Sequence, residues 1–164
     1  MEIPKIPWDH ADANTFIASG KPVVLLGCPL STPAADRWSP DFLSTVIDSS
    51  FRNTAFKSNS LKFQYWDDKK NSGYNYISPV EKEELTFNNF LSKLRSTSSE
   101  EHYYLQQAVV AEMGPSMMAE YTKFSLEAAV KFKLTGKWDQ FSTNLLLVGK
   151  AGAVTPCHFD EQGR

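Results

Sequence analysis

Apolar residues recur at helical spacing in "LTFNNFLSKL", where Phe87, Phe90, Leu91 and Leu94 follow Thr86. The pattern predicts an amphipathic helix capped by the threonine hydroxyl. A second helix is predicted in "WSPDFLSTVI", with Ser39 as N-cap, Pro40 at the first helical position, and Trp38, Phe42, Leu43 and Val46 on its apolar side. A short helix from Asp12 to Ala18 is closed by Gly20 and has Phe16 and Ile17 as its apolar side. After Gly114-Pro115 the pattern is helical again from Ser116 to about Leu134, with a break expected near Ser125. Strands are predicted elsewhere. The run Val23 to Leu26, bounded by Gly27 and Pro29, reads as a strand buried on both faces. Arg52 to Lys57, the alternating "LKFQYW" from Leu61 to Trp66, and "HYYLQQAVV" follow. The last two are "STNLLLVG" and "AVTPCHF", joined by a tight turn at Lys150-Ala151-Gly152. "DDKKNSGYNYISP" is polar and punctuated by Gly and Pro, so it reads as a loop.

Mixed helices and strands that end in consecutive strands predict an α+β domain feeding a β-sandwich or barrel. With 164 residues the chain is long enough for a single real core, and 41% hydrophobic content argues against disorder. A net charge of −2 supplies no basic footprint, so nucleic acid is not an expected partner. Cys28 and Cys157 form no CxxC pair and are expected as reduced thiols. No signal core opens the chain and no run approaches the roughly 18 apolar residues of a membrane span. A soluble protein of the cytoplasm or nucleus, without a membrane partner, is the expectation.

Candidate chemistry lies in "TPCHFDEQGR". On a strand, residues i and i+2 share a face, so His158 and Asp160 can grip one metal ion from one side. A second His would complete the facial triad of non-haem Fe(II) oxygenases, which keeps three positions open for a co-substrate and O₂. A structural zinc site that adds Cys157 is disfavoured, because adjacent strand residues point to opposite faces.

"STNLLLVGKAGAVTPCHFDEQ" resembles the JmjC-type, cupin-like Fe(II)/2-oxoglutarate hydroxylases, and within them the asparaginyl hydroxylases. "KPVVLLG", "WSPDFL", "KFQYWDDKK", "LTFNNFLSKL" and "EEHYYLQQ" resemble further blocks of that family, in family order, from about Pro22 to Gln162. Met113 to Lys137 matches poorly. The resemblance implies helices and strands over 1–137 and the first strands of an incomplete double-stranded β-helix (a jelly-roll or cupin barrel) over 138–164. It implies Fe(II) and 2-oxoglutarate as cofactors, with His158 and Asp160 as iron ligands. Thr155 and Tyr104 would hydrogen-bond the distal carboxylate of 2-oxoglutarate. Leu145 and Leu147 would line the pocket wall, and both are expected to be core residues whatever the function. Tyr65, Gln106 and Gln162 would contact a peptide substrate near its target side chain.

The second His ligand and the basic partner of the 2-oxoglutarate carboxylate lie further C-terminal in the family. His10 and His102 are poor substitutes, since His10 precedes the first helix and His102 opens the strand that carries Tyr104 and Gln106. The expectation is therefore a truncated, inactive form of a protein hydroxylase. Homodimerisation is not implied, because the family's C-terminal helices have no counterpart in the sequence. The alternative from another class is a non-catalytic fragment that binds peptides and competes for hydroxylase substrates. Related hydroxylases acting on RNA or histone lysine form a third option, against which "YLQQ" and "HFDEQ" favour the protein-asparaginyl type.

Overall fold

The computed structural model describes residues 2–27, 36–64, 73, 78–96, 100–132 and 144–156, with only the backbone at 17 and 124–132. In chain order the described elements are β1 (Lys5–Pro7), α1 (Ala13–Ala18), β2 (Val24–Leu26), α2 (Pro40–Val46), β3 (Arg52–Ser58), β4 (Glu81–Thr86), α3 (Phe87–Arg95), β5 (His102–Ala108), a 3₁₀ turn (Ala111–Met113), α4 (Pro115–Phe132) and β6 (Leu145–Gly149). They divide into two compact units, Met1–Val46 with Gly114–Ser142, and Ile47–Met113 with Thr143–Arg164.

In the first unit α1 ends as its glycine requires. Gly20 has φ 64°, and Lys21 N–H reaches back to the Phe16 carbonyl at 3.0 Å, closing the last turn. Ser39 Oγ accepts from Phe42 N–H at 3.1 Å and starts α2, whose Leu43 is buried. Arg37 and the Trp38 indole both reach the Glu120 carboxylate on α4. That helix runs from Pro115 to Phe132 as one element, so the break expected near Ser125 does not occur. The apolar run at Val24–Leu26 also departs from expectation. It pairs in parallel with β1, an unforeseen strand, and Val24 and Leu26 are 40% and 50% exposed. An apolar run specifies an extended chain, but whether both its faces are covered depends on neighbours the run itself does not encode.

The second unit is an open, fully antiparallel sheet in the order β4-β3-β5-β6, with α3 on one face. Strand alternation assigns the faces. Asn53 and Ala55 of β3, Tyr103 and Leu105 of β5, and Leu146 of β6 are buried, as are Phe87, Phe90 and Leu91 of α3. The Phe87 and Phe90 rings meet in a tilted arrangement at 6.0 Å. Each buried Phe or Leu of this layer taken from water stabilises by roughly 1.5–3 kcal/mol. Asn53 is its exception. Its amide nitrogen donates to the Phe51 and Leu85 carbonyls, both at 3.4 Å, while its Oδ1 has no hydrogen-bond partner among the described residues.

β4, "EKEELT", escaped the hydrophobic pattern because it is a charged edge strand, a composition that discourages further pairing. Its Glu81 and Glu83 join an ionic cluster. Lys57 Nζ lies 2.9 Å from Glu101 and 3.6 Å from Glu81. Lys93 Nζ lies 3.0 Å from Glu83 and donates to the Tyr103 hydroxyl, which in turn donates to Glu101 at 3.2 Å. The hydrogen bond from Lys57, then that from Tyr103, holds the Glu101 carboxyl below the usual range. The bond to Glu101 raises Lys57 in turn.

Within its described part, the expected hairpin of "STNLLLVG" and "AVTPCHF" is also replaced. The turn forms, with Gly152 at φ 89° and Ala153 N–H bonded to the Lys150 carbonyl at 3.0 Å. Beyond it, however, Val154 N–H bonds the Leu61 carbonyl at 2.8 Å, and the Val154 carbonyl accepts from Phe63 N–H at 2.9 Å. This is an isolated parallel bridge of Lys62 with Val154. The predicted strand from Leu61 to Trp66 is reduced to that bridge within its described part.

Two predictions follow from these contacts. Thr86 Oγ1 accepts from Asn89 N–H at 3.3 Å, so Thr86→Ala removes the cap of α3 and is expected to cost about 1 kcal/mol in urea unfolding. Because the Glu101 pKa is depressed in the folded state, its contribution is complete above the unfolded value and disappears as pH falls through the folded one. Urea midpoints should therefore drop between about pH 5 and pH 3, and drop less steeply in Glu101→Gln.

Candidate functional site

The sheet face opposite α3 carries the candidate residues. Tyr104 and Gln106 project from β5, and Leu145, Leu147 and Gly149 from β6. The register sets Tyr104 across from Gly149, Gln106 across from Leu147 and Ala108 across from Leu145. Directly opposed side chains on one face stand about 4.5–5.5 Å apart at Cβ, so these pairs are neighbours. On the other side of β5, Phe56 of β3 lies across from Tyr104. Further out the face becomes charged and self-neutralised, with Lys82 3.1 Å from Glu84 and Thr54 Oγ1 3.2 Å from the same carboxylate.

Four of the nine sequence-predicted site residues share this face, and a fifth, Thr155, is exposed just after the Val154 bridge. Tyr65, His158, Asp160 and Gln162 lie outside the described residues. Among the described residues no three His, Cys, Asp or Glu side chains are grouped to hold a metal. The expectation that Leu145 and Leu147 are core residues is corrected, since they are 43% and 53% exposed while Leu146 between them is 7% exposed. α3 covers one face only, and strand periodicity sends the two outer leucines to the other.

The polar groups of the two faces of β5 differ sharply. Gln107, facing the α3 side, is committed. Its Oε1 accepts from Thr54 N–H at 2.8 Å, where the β3–β5 pairing ends, and its Nε2 donates to the Ala108 carbonyl at 2.9 Å. The Gln106 side chain makes no hydrogen bond to the described residues, and neither does the Tyr104 hydroxyl. Burial pushes the Tyr104 phenol above the usual tyrosine range. β5 and β6 contain no Lys or Arg, so on these two strands the face sets neutral polar groups beside an apolar wall.

Two residues outside the sequence reading shape the Tyr104 ring. Phe63, 5% exposed, stacks on it with centroids 5.2 Å apart and 27° between planes. Gly149 lies against its edge. A Cβ at 149 would stand 2.9 Å from Tyr104 Cδ2 and 3.2 Å from Ala153 Cβ. Phe63 sits in a segment whose alternation was visible, but only the register reveals that Gly149 faces an aromatic ring rather than merely opening a turn.

The chain matches the cupin-like domain family over residues 10–162, nearly its whole length, and belongs to that family. The family includes JmjC-type oxygenases and 2-oxoglutarate-dependent hydroxylases. No helix of the described residues is long and apolar enough to cross a membrane.

The tight approach at Gly149 makes a specific prediction. Gly149→Ala inserts a methyl group against the Tyr104 ring and Ala153, and overpacking of this kind costs about 1–3 kcal/mol. Thermal unfolding should report the loss, and near-ultraviolet circular dichroism should report the displaced tyrosine.

Proposed function

We propose that the chain carries part of the active site of an Fe(II)/2-oxoglutarate-dependent protein hydroxylase of the asparaginyl type. The observation that carries the reading is the open sheet face, where Tyr104 and Gln106 hold polar groups that the described protein leaves unbonded, beside Leu145 and Leu147. Membership of the cupin-like family and the His158-Phe159-Asp160 spacing support it. The finer likeness is to the asparaginyl hydroxylase called factor inhibiting hypoxia-inducible factor, on the strength of "YLQQ" and "HFDEQ".

In this reading His158 and Asp160 are the catalytic metal ligands, a His-carboxylate donor pair suited to Fe(II). The bound metal and co-substrate supply oxidation of a substrate C–H bond by O₂, coupled to conversion of 2-oxoglutarate into succinate and CO₂. The chain's own residues bind, orient and exclude water. Tyr104 and Thr155 donate hydrogen bonds to the distal carboxylate of 2-oxoglutarate. Leu145 and Leu147 form the apolar wall beside it. Gln106 and Gln162 hold a side-chain amide of the peptide substrate, fixing which carbon is presented, and Tyr65 contacts the peptide alongside. The third metal ligand is not assigned to His10 or His102. The protein works in the cytoplasm or nucleus on a protein substrate.

Calorimetric titration of Mn(II) in the presence of 2-oxoglutarate tests this, with His158→Ala and Asp160→Ala in parallel. With only two of the three metal ligands assigned, weak metal-dependent binding of 2-oxoglutarate is expected, and it should fall at least about tenfold further in either variant. Indifference to both substitutions would remove the hydroxylase reading. Peptide binding that ignores metal and 2-oxoglutarate would then favour a non-catalytic binding module on the same face.

A further inference from the structure

We propose that Phe63 and Gly149 are positioning residues for the Tyr104 phenol, fixing its ring so that the hydroxyl is presented ready-oriented to the distal carboxylate of a bound 2-oxo acid. This rests on the hydroxylase reading and adds a second layer behind it. The Tyr104 ring is constrained on two different surfaces. Phe63 covers a face at 5.2 Å between centroids, and Gly149 admits the Cδ2–Cε2 edge where any side chain would collide. Both constraints come from elements already held in place. Gly149 ends β6 and pairs directly with Tyr104, so the approach is set by the sheet register. Phe63 is buried and anchored by its own backbone, which donates to the Val154 carbonyl at 2.9 Å.

That anchor has a second effect. The Val154 N–H bonds Leu61 at 2.8 Å, so the two bonds flanking Lys62 also fix the backbone immediately before Thr155. One short parallel bridge therefore places the ring that stacks on Tyr104 and the chain that carries Thr155, the two donors assigned to the same carboxylate. The bridge segment reads on into Tyr65 in one direction and towards His158 in the other. A tyrosine free to rotate would have to be ordered when its ligand binds, whereas a ring ordered beforehand avoids that loss. The Tyr104 hydroxyl makes no hydrogen bond to the described residues, so nothing among them holds the ring by its polar end; packing does. Phe63 touches the ring and not the carboxylate in this scheme, which separates its role from that of a ligand-binding residue.

The test has a ligand-free arm and a ligand arm. In the 164-residue chain with side-chain-labelled tyrosine, the Tyr104 signals, assigned by their loss in Tyr104→Phe, should show a single χ1 rotamer from three-bond couplings in nuclear magnetic resonance, because χ1 is the torsion that places the hydroxyl. Phe63→Met, which keeps most of the volume but no ring face, should average those couplings over rotamers; Phe63→Leu serves if the Met variant does not fold. Calorimetry with 2-oxoglutarate and Mn(II) then completes a double-mutant cycle. Phe63→Met should weaken 2-oxoglutarate binding by about two- to tenfold when Tyr104 is present and leave it unchanged in the Tyr104→Phe background. Rotamer-averaged χ1 couplings in the unsubstituted chain overturn the clamp. Equal weakening in both backgrounds reduces Phe63 to a general packing role and also overturns it. A single χ1 rotamer without any 2-oxoglutarate binding overturns the hydroxylase reading, and with it the carboxylate as the clamp's purpose.

Discussion

β5 is hydrogen-bonded along both edges, to β3 on one side and β6 on the other, and this double pairing constrains everything else in the second unit. A strand held on both sides cannot slip by one residue without sending its whole apolar set to the wrong face. Tyr103 and Leu105 are thereby locked against α3, and Tyr104 and Gln106 against the open side. α3 supplies the driving force through Phe87, Phe90 and Leu91. The open side inherits its order from that packing without contributing much to it.

This division of labour explains why the candidate site can carry groups that would be liabilities in a core. An exposed leucine pair and an unbonded phenol and amide are tolerable on a face whose backbone is secured from behind. The two adjacent glutamines show the principle at the smallest scale. Gln107 points inward and completes the backbone bonding where two strands part, so it is structural. Gln106 points outward with its amide unclaimed by the described residues, so it is available to a ligand. The face a side chain takes, and not its residue type, decides here whether its polar group is already bonded.

The local elements were legible where one short segment contains its own instruction. Ser39 and Thr86 cap the helices they were expected to cap, Gly20 closes α1, and the "HYYLQQ" strand is where alternation put it. Legibility failed where the deciding partner is remote in sequence. β4 was hidden by its charges, whose meaning is edge position and an ionic cluster with Lys57 and Lys93. The segment after the Gly152 turn was expected to fold back on β6, but the hydrogen bonds of Val154 go to Leu61 and Phe63, some ninety residues earlier. Leu145 and Leu147 were expected in the core whatever the function, and the placement of α3 on the opposite face left them exposed.

By itself the sequence determined the helix caps, the strand periodicities, the His158-Phe159-Asp160 spacing and membership of the cupin-like family, because each is written in contiguous residues or in their order along the chain. Tertiary structure decided which face of the sheet is covered and which strands pair, and through those choices that Tyr104 lies between Phe63 and Gly149. The physical reason is that burial and register are properties of pairs. A side chain carries its own propensity, but its exposure and its neighbours belong to whatever the rest of the chain places across from it.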